Sequence, residues 1–237
     1  MHFHLPKPLH GWREFAGEVG IIVIGVLLAL TFEAVADEIR WQRKVADART
    51  QLRYELGHDL AILRDRAAEQ ACVSRRLDQV RAIITQASRS GRLPPVGSIG
   101  SADYYTWSSS VWESQQAAQT ITHFPAGQIA AMGRVYQLLG TLSDANREER
   151  RAWLTLQTIV GPGRPVDPMS IGRLIEADDT ARTENAQFGF EEPVIRRILA
   201  NGDLGRDFPQ IDPRNPPFLS GHWSICRPIR TQAPDTY

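Results

Sequence analysis

The segment from Phe15 to Ala36 constrains this chain more than any other. It reads FAGEVGIIVIGVLLALTFEAVA. Wound as a helix at 1.5 Å per residue, ~20 such residues cross the hydrocarbon core of a bilayer. No charge interrupts Val19 to Phe32. Glu18 and Glu33 stand at the two ends, where a carboxylate reaches headgroups and water at lower cost than at the midplane. Trp12 and Trp41 flank the segment. On one helix they stand ~43 Å apart, the thickness of a bilayer with its headgroups, and tryptophan favours that interface. The pattern predicts a short N-terminal tail (1–14) and a transmembrane helix (15–36) in contact with the lipid bilayer.

On that helix Gly11, Glu14, Glu18, Ile22, Gly25, Ala29, Glu33 and Ala36 share a stripe at steps of three, four or seven. Gly25 and Ala29 form a small-xxx-small pair, which lets two backbones approach closely. Carboxylates aligned with small residues point to helix association through Glu18, Gly25, Ala29 and Glu33. Two other readings stand beside it: a plain anchor whose acids mark its ends, and a proton or ion path lined by Glu18. A cleaved signal peptide is a further alternative, because Ala34-Val35-Ala36 has the small-x-small form of a cleavage site. Against it, Glu14 and Glu18 make a poor basic leader, and the helical pattern continues past the site.

The stretch Leu5-Pro6-Lys7-Pro8-Leu9-His10-Gly11-Trp12-Arg13-Glu14-Phe15, followed by Gly17-Glu18-Val19-Gly20-Ile21-Ile22-Val23-Ile24-Gly25-Val26, resembles the opening of a group of uncharacterised bacterial single-pass membrane proteins. The resemblance covers roughly the first 35 residues. It implies a bacterial inner-membrane protein and brings no activity, substrate or site residue with it.

Two signals compete over orientation. Lys7 and Arg13 precede the segment, whereas Arg40, Arg43, Lys44, Arg49 and Arg53 follow it, which favours a cytoplasmic C-terminal part. Cys72 and Cys226, the only cysteines, fit a disulfide in an oxidising compartment, although two unrelated buried thiols are the alternative. The cysteines tilt the expectation towards a periplasmic C-terminal domain.

Beyond the segment the pattern is helical throughout. From Asp37 to about residue 90 there is no proline before the Ser90-Gly91 turn, and Val45, Leu52, Leu56, Leu60, Leu63, Val73, Leu77, Val80 and Ile84 recur at helical steps. Asp59 and Arg66 interrupt the apolar seam, which argues against an uninterrupted coiled coil. A long stalk and bundle helix is therefore expected over 37–90, followed by a helical bundle domain over 91–202. Within the latter, short helices are expected over 107–122, from Pro125, from a Ser143-Asp144 cap, and from Asp167-Pro168, with Pro193 interrupting the last. Residues 203–237 read as an irregular Pro-rich tail whose Phe208, Phe218, Trp223 and Ile225 pack on the bundle. The fold class is all-α.

The chain offers little for catalysis. Lys plus Arg and Asp plus Glu both number 27, so no basic surplus points to nucleic acid. No histidine pair has metal-ligand spacing on a helix, no phosphate loop or nucleophile elbow is present, and neither a cofactor nor a metal is expected. Glu148-Glu149 among Arg147, Arg150 and Arg151 reads as a solvated, salt-bridged face. Adjacent Asp178 and Asp179 point ~100° apart on a helix. Tyr104, Tyr105, Trp107 and Trp112 are the best candidates for a recognition surface, with ordinary core aromatics as the alternative. The expectation is a non-enzymatic, membrane-anchored interaction or scaffold protein, acting as a homo-oligomer or with another membrane protein. A ligand-sensing extracytoplasmic domain is the alternative, and an ion pathway a third.

Overall fold

A computed structural model describes residues 11–200 and 224–229, with Glu14 described by its backbone alone. The described residues are all-α, in four helices: α1 (Trp12–Ser90), α2 (Ser110–Ala117), α3 (Ala126–Leu156) and α4 (Pro168–Ala200). Two-residue strands, β1 (Arg92–Leu93) and β2 (Arg164–Pro165), pair antiparallel with Arg92 opposite Pro165. Much of the expected 1–14 and 203–237 segments lies outside the described residues. The chain divides into two compact units, Met1–Ala48 and Arg49–Tyr237.

In the first unit, Ile21, Ile22, Val23, Ile24, Val26, Leu27, Leu28, Leu30 and Phe32 are all exposed. The segment is long and apolar enough to cross a membrane near the N-terminus, and no part of it is buried. Thr31, its one hydroxyl, donates to the Leu27 carbonyl at 2.7 Å, so the polar group is satisfied within the helix.

In the second unit, α1 supplies the apolar spine. Val73, Leu77, Val80, Ile84 and Ala87 recur at helical steps and are buried with Leu156, Ile159 and Trp153 from α3 and the turn that follows it. Ile171, Leu174, Ala177 and Ala181 of α4 complete the cluster. Each such Leu, Ile or Val contributes ~1.5–3 kcal/mol by leaving water. Gly91, at φ +69°, ends α1 in the left-handed conformation, and its N–H reaches back to the Ala87 carbonyl at 2.9 Å. The chain then zips against the α3–α4 connection through the strand pair and a Val96–Gly161 bridge.

Three expected boundaries differ. Residues 107–122 are not one helix: α2 spans Ser110–Ala117, and Gln119, at φ 57°, turns the chain into a 3-10 turn, Thr120–His123. Ser143 and Asp144 start no new helix. Leu142, Ala145, Asn146 and Glu149 continue the buried face of α3 without a phase shift, so tertiary packing overrides the local cap signal. Pro193 lies inside α4 without ending it, and buried Phe188 and Ile195 on either side hold the helix on.

Candidate functional site

The site of most chemical interest is a polar seam within the Arg49–Tyr237 unit, where α1 meets the irregular segment that leads into α2. Glu55, Asp59, Asp65 and Glu69 lie on α1 and are all buried. They point at a stretch whose polar main chain has no helix or sheet of its own to pair with. Glu69 accepts the Asp103 N–H through both oxygens, at 3.2 and 3.4 Å. Asp65 accepts the Tyr105 hydroxyl at 2.8 Å, and Asp59 accepts the Ser108 N–H at 3.1 Å. From α3, Asn146 donates to the Tyr105 carbonyl at 2.7 Å, and beyond it Gln157 donates to the Gly100 carbonyl at 2.5 Å. Side chains thus replace secondary structure as partners for this backbone.

Glu55 anchors the α2 end. The Ser109 N-cap makes no capping hydrogen bond with its own side chain. Glu55 takes that role from another helix, accepting the N–H groups of Val111 at 2.9 Å and Trp112 at 3.3 Å. It also accepts the hydroxyls of Ser108 (2.8 Å), Ser110 (3.1 Å) and Tyr136 (2.7 Å). Burial alone pushes this carboxyl up, but the converging donors outweigh it and hold it below the usual range. Burial and the Glu55 hydrogen bond together push the Tyr136 hydroxyl up.

Asp59 and Glu69 are treated differently by their surroundings. Burial pushes Asp59 up to about 7, against one N–H from Ser108, and neighbouring Glu55 adds to the rise. Its Oδ2 has no partner among the described residues. Burial likewise pushes Glu69 up to about 7, opposed by Arg66 and assisted by Asp103 and Glu149.

Arg66 stands at the centre, 0% exposed. Its Nη2 donates to Glu149 Oε2 at 2.6 Å and to Asn185 Oδ1 at 3.0 Å, joining α1, α3 and α4 at one point. The guanidinium lies 4.2 Å from the Phe188 ring centre, and Trp107 stacks on the same ring at 6.1 Å. Glu149 is only 1% exposed, which corrects the reading of 148–149 as a solvated pair: Glu148 faces Arg151 outside, and Glu149 faces Arg66 within. Adjacent helix positions point to different sides, so one dipeptide serves both. Asp178 is likewise fully buried between Arg81 (2.6 Å) and Arg182 (2.8 Å), and exposed Asp179 also meets Arg81.

The four aromatic candidates do not form one surface. Trp112 is buried, stacked on Tyr136 with ring centres 5.1 Å apart. Trp107 and Tyr105 are half-buried in the seam. Tyr104 alone of the four is exposed, with Arg150 over its ring at 4.4 Å.

Cys72 and Cys226 are disulfide-bonded, with Cα atoms 5.0 Å apart across 154 residues of sequence. The bond secures the 3-10 turn Ser224–Cys226, and Ile225 of that turn is buried in the core cluster. Arg76, 3% exposed, grips the same turn: it donates to the carbonyls of Ile99, Ile225 (3.1 Å) and Arg227. Gly100 takes the left-handed conformation, at φ +65°, that glycine adopts without strain, where the chain runs beside Ile225.

Glu18, Gly25, Ala29 and Glu33 are all exposed on α1, and beyond the local helix backbone and its chain neighbours nothing among the described residues lies within 4 Å of where a Gly25 Cβ would be. The open grooves of the second unit lie elsewhere, along 172–184 of α4 and 78–90 of α1. Among the described residues, no group of three or more His, Cys, Asp or Glu is placed to hold a metal. No family model matches this chain, and neither a curated protein nor a solved structure does.

Proposed function

We propose that this is a bacterial inner-membrane protein with a single pass near its N-terminus and a disulfide-locked helical domain in the periplasm. It works by association rather than catalysis. The observation that carries this reading is the pairing of two features on α1. One is an apolar stretch with every large side chain exposed; the other is a disulfide at Cys72. An exposed apolar surface of that size is expelled from water and taken up by lipid. A disulfide persists in an oxidising compartment and is rare in the cytosol. The excess of Lys and Arg after the segment argues for the opposite orientation, and the disulfide outweighs it.

The association partner is a second copy of the chain, meeting it through the Glu18-Gly25-Ala29-Glu33 stripe. Gly25 and Ala29 leave room for a backbone to approach, and close packing is what drives helices together in lipid. Glu18 and Glu33 lie near the ends of the segment, consistent with headgroup contact rather than a conducting path. Cross-linking of the full-length chain in native membranes tests this. A dimer or higher oligomer is expected, weakened by Gly25→Leu or Ala29→Leu. A strictly monomeric chain, or cross-linking indifferent to both substitutions, would overturn it.

A further inference from the structure

Glu55, Asp59 and Glu69 hold the same irregular segment, yet the hydrogen bonds they receive differ sharply. Glu55 accepts from two N–H groups and three hydroxyls. Among the described residues Asp59 accepts one N–H, on one oxygen, and Glu69 shares one N–H between two oxygens. A buried carboxylate is stabilised as an anion by several donors and destabilised when donors are few. The acidic groups beside Asp59 and Glu69 make ionisation harder still. Beside Asp59 this is Glu55 of α1; beside Glu69 these are Asp103 on the segment and Glu149 on α3, with Arg66 of α1 acting the other way. Arg66, which is paired with Glu149, offsets the rise of Glu69 only in part.

We propose that residues 100–109 form a proton-dependent strap, closed over α1 while Asp59 and Glu69 carry their protons and lifted when both ionise, with Glu55 as its permanently ionised anchor at the α2 end. Two added negative charges, each with a single donor, gain hydration only if the strap moves aside and admits water. The upward displacement of both acids to about 7 places the transition near neutrality. The α2 end stays in place, because Glu55 is an anion on both sides of that range. Opening exposes Trp107, the Tyr105 hydroxyl and the Arg66–Glu149 pair, so the strap controls access to the polar seam.

Hydrogen exchange of the full-length chain in nanodiscs, read by peptide between pH 5.5 and 8.5 and corrected for intrinsic exchange, tests this. Exchange over 100–109 is expected to rise with pH by up to about tenfold per pH unit per proton released between the ordinary carboxylate range near 4 and about 7, and to level off above it, while 110–117 stays protected. Asp59→Asn and Glu69→Gln, each nearly isosteric and each retaining the accepting oxygen, should flatten the response singly in part and together almost completely. Unchanged protection of 100–109 in the wild-type chain across the range would overturn the proposal without any variant. So would a double variant that keeps the full pH response, or equal opening of 110–117, which would mark general unfolding.

Discussion

Replacing Glu149 with Leu should destabilise the bundle severely, and replacing its partner as well should recover much of the loss. Arg66 is wholly buried, and its Nη2 is held by Glu149 Oε2 at 2.6 Å and Asn185 Oδ1 at 3.0 Å. Glu149→Leu leaves a buried guanidinium with Asn185 as its hydrogen-bond partner, the Phe188 ring and the more distant Glu69, and breaking a buried pair in this way costs ~3–5 kcal/mol. In the double variant Arg66→Met/Glu149→Leu no charge remains stranded. The chief remaining defect is Asn185 Oδ1, left without its donor, at ~1–3 kcal/mol. The double variant should therefore be more stable than the single one by ~2 kcal/mol. In a unit of this size 1 kcal/mol moves the melting temperature by ~2–4 °C, so the single variant should melt ~6–20 °C below wild type. Thermal unfolding of the full-length chain in detergent, followed by circular dichroism, reads the difference. Trp153, whose indole N–H lies 3.4 Å from Glu149 Oε1, gives a local fluorescence signal. A single variant within ~1 kcal/mol of wild type, or single and double variants equally unstable, would refute the idea that the pair's charge governs the junction.

Cys72→Ser should lower stability by ~2–5 kcal/mol, because the bond closes a loop of 154 residues, and should abolish the mobility shift between reduced and non-reduced gels. Arg76→Met should leave the bond able to form but make residues 224–229 accessible to protease, since it removes three carbonyl contacts at once. Trp112→Ala should cost ~3–5 kcal/mol by thermal unfolding, as a core truncation, and should leave cross-linking in membranes intact where the fold survives. For stability against pH, the raised acids Asp59 and Glu69 bind more protons folded than unfolded. Their contribution is full below the ordinary carboxylate range near 4, declines from there to about 7 and is gone above it. Urea midpoints should thus fall from pH 5.5 to about 7 and then level off towards 8.5, whereas the Glu55 contribution is lost only on acidification below the ordinary carboxylate range.

Periodic features were legible in the sequence. The apolar stretch near the N-terminus and the α1 spine declare themselves by hydropathy and by spacing alone, because helical burial needs only a repeating stripe. The two cysteines indicated a bridge because no other partner existed for either. The polar seam was nearly invisible, for a physical reason. Glu149 and Asp178 sit in charge-rich runs, and which neighbour faces inward is decided by helix phase against partners 83 and 97 residues away in sequence. The available signal was Asp59 and Arg66, charges seven apart on an otherwise apolar face. They read as flaws in a coiled-coil seam, whereas they are buried groups with partners. The Ser143-Asp144 and Pro193 signals misled because local caps and breakers are worth ~1–3 kcal/mol, less than the packing of several side chains along α3 and α4.

Thiol labelling of spheroplasts from outside, with an impermeant maleimide before and after an impermeant reductant, puts the placement of the chain to the test. Cys72 and Cys226 should stay unlabelled until the reductant is added and then react on intact spheroplasts, in a chain of full length that resists extraction by carbonate. Labelling only after lysis, labelling without reductant, or a mature chain beginning at Asp37 would contradict it.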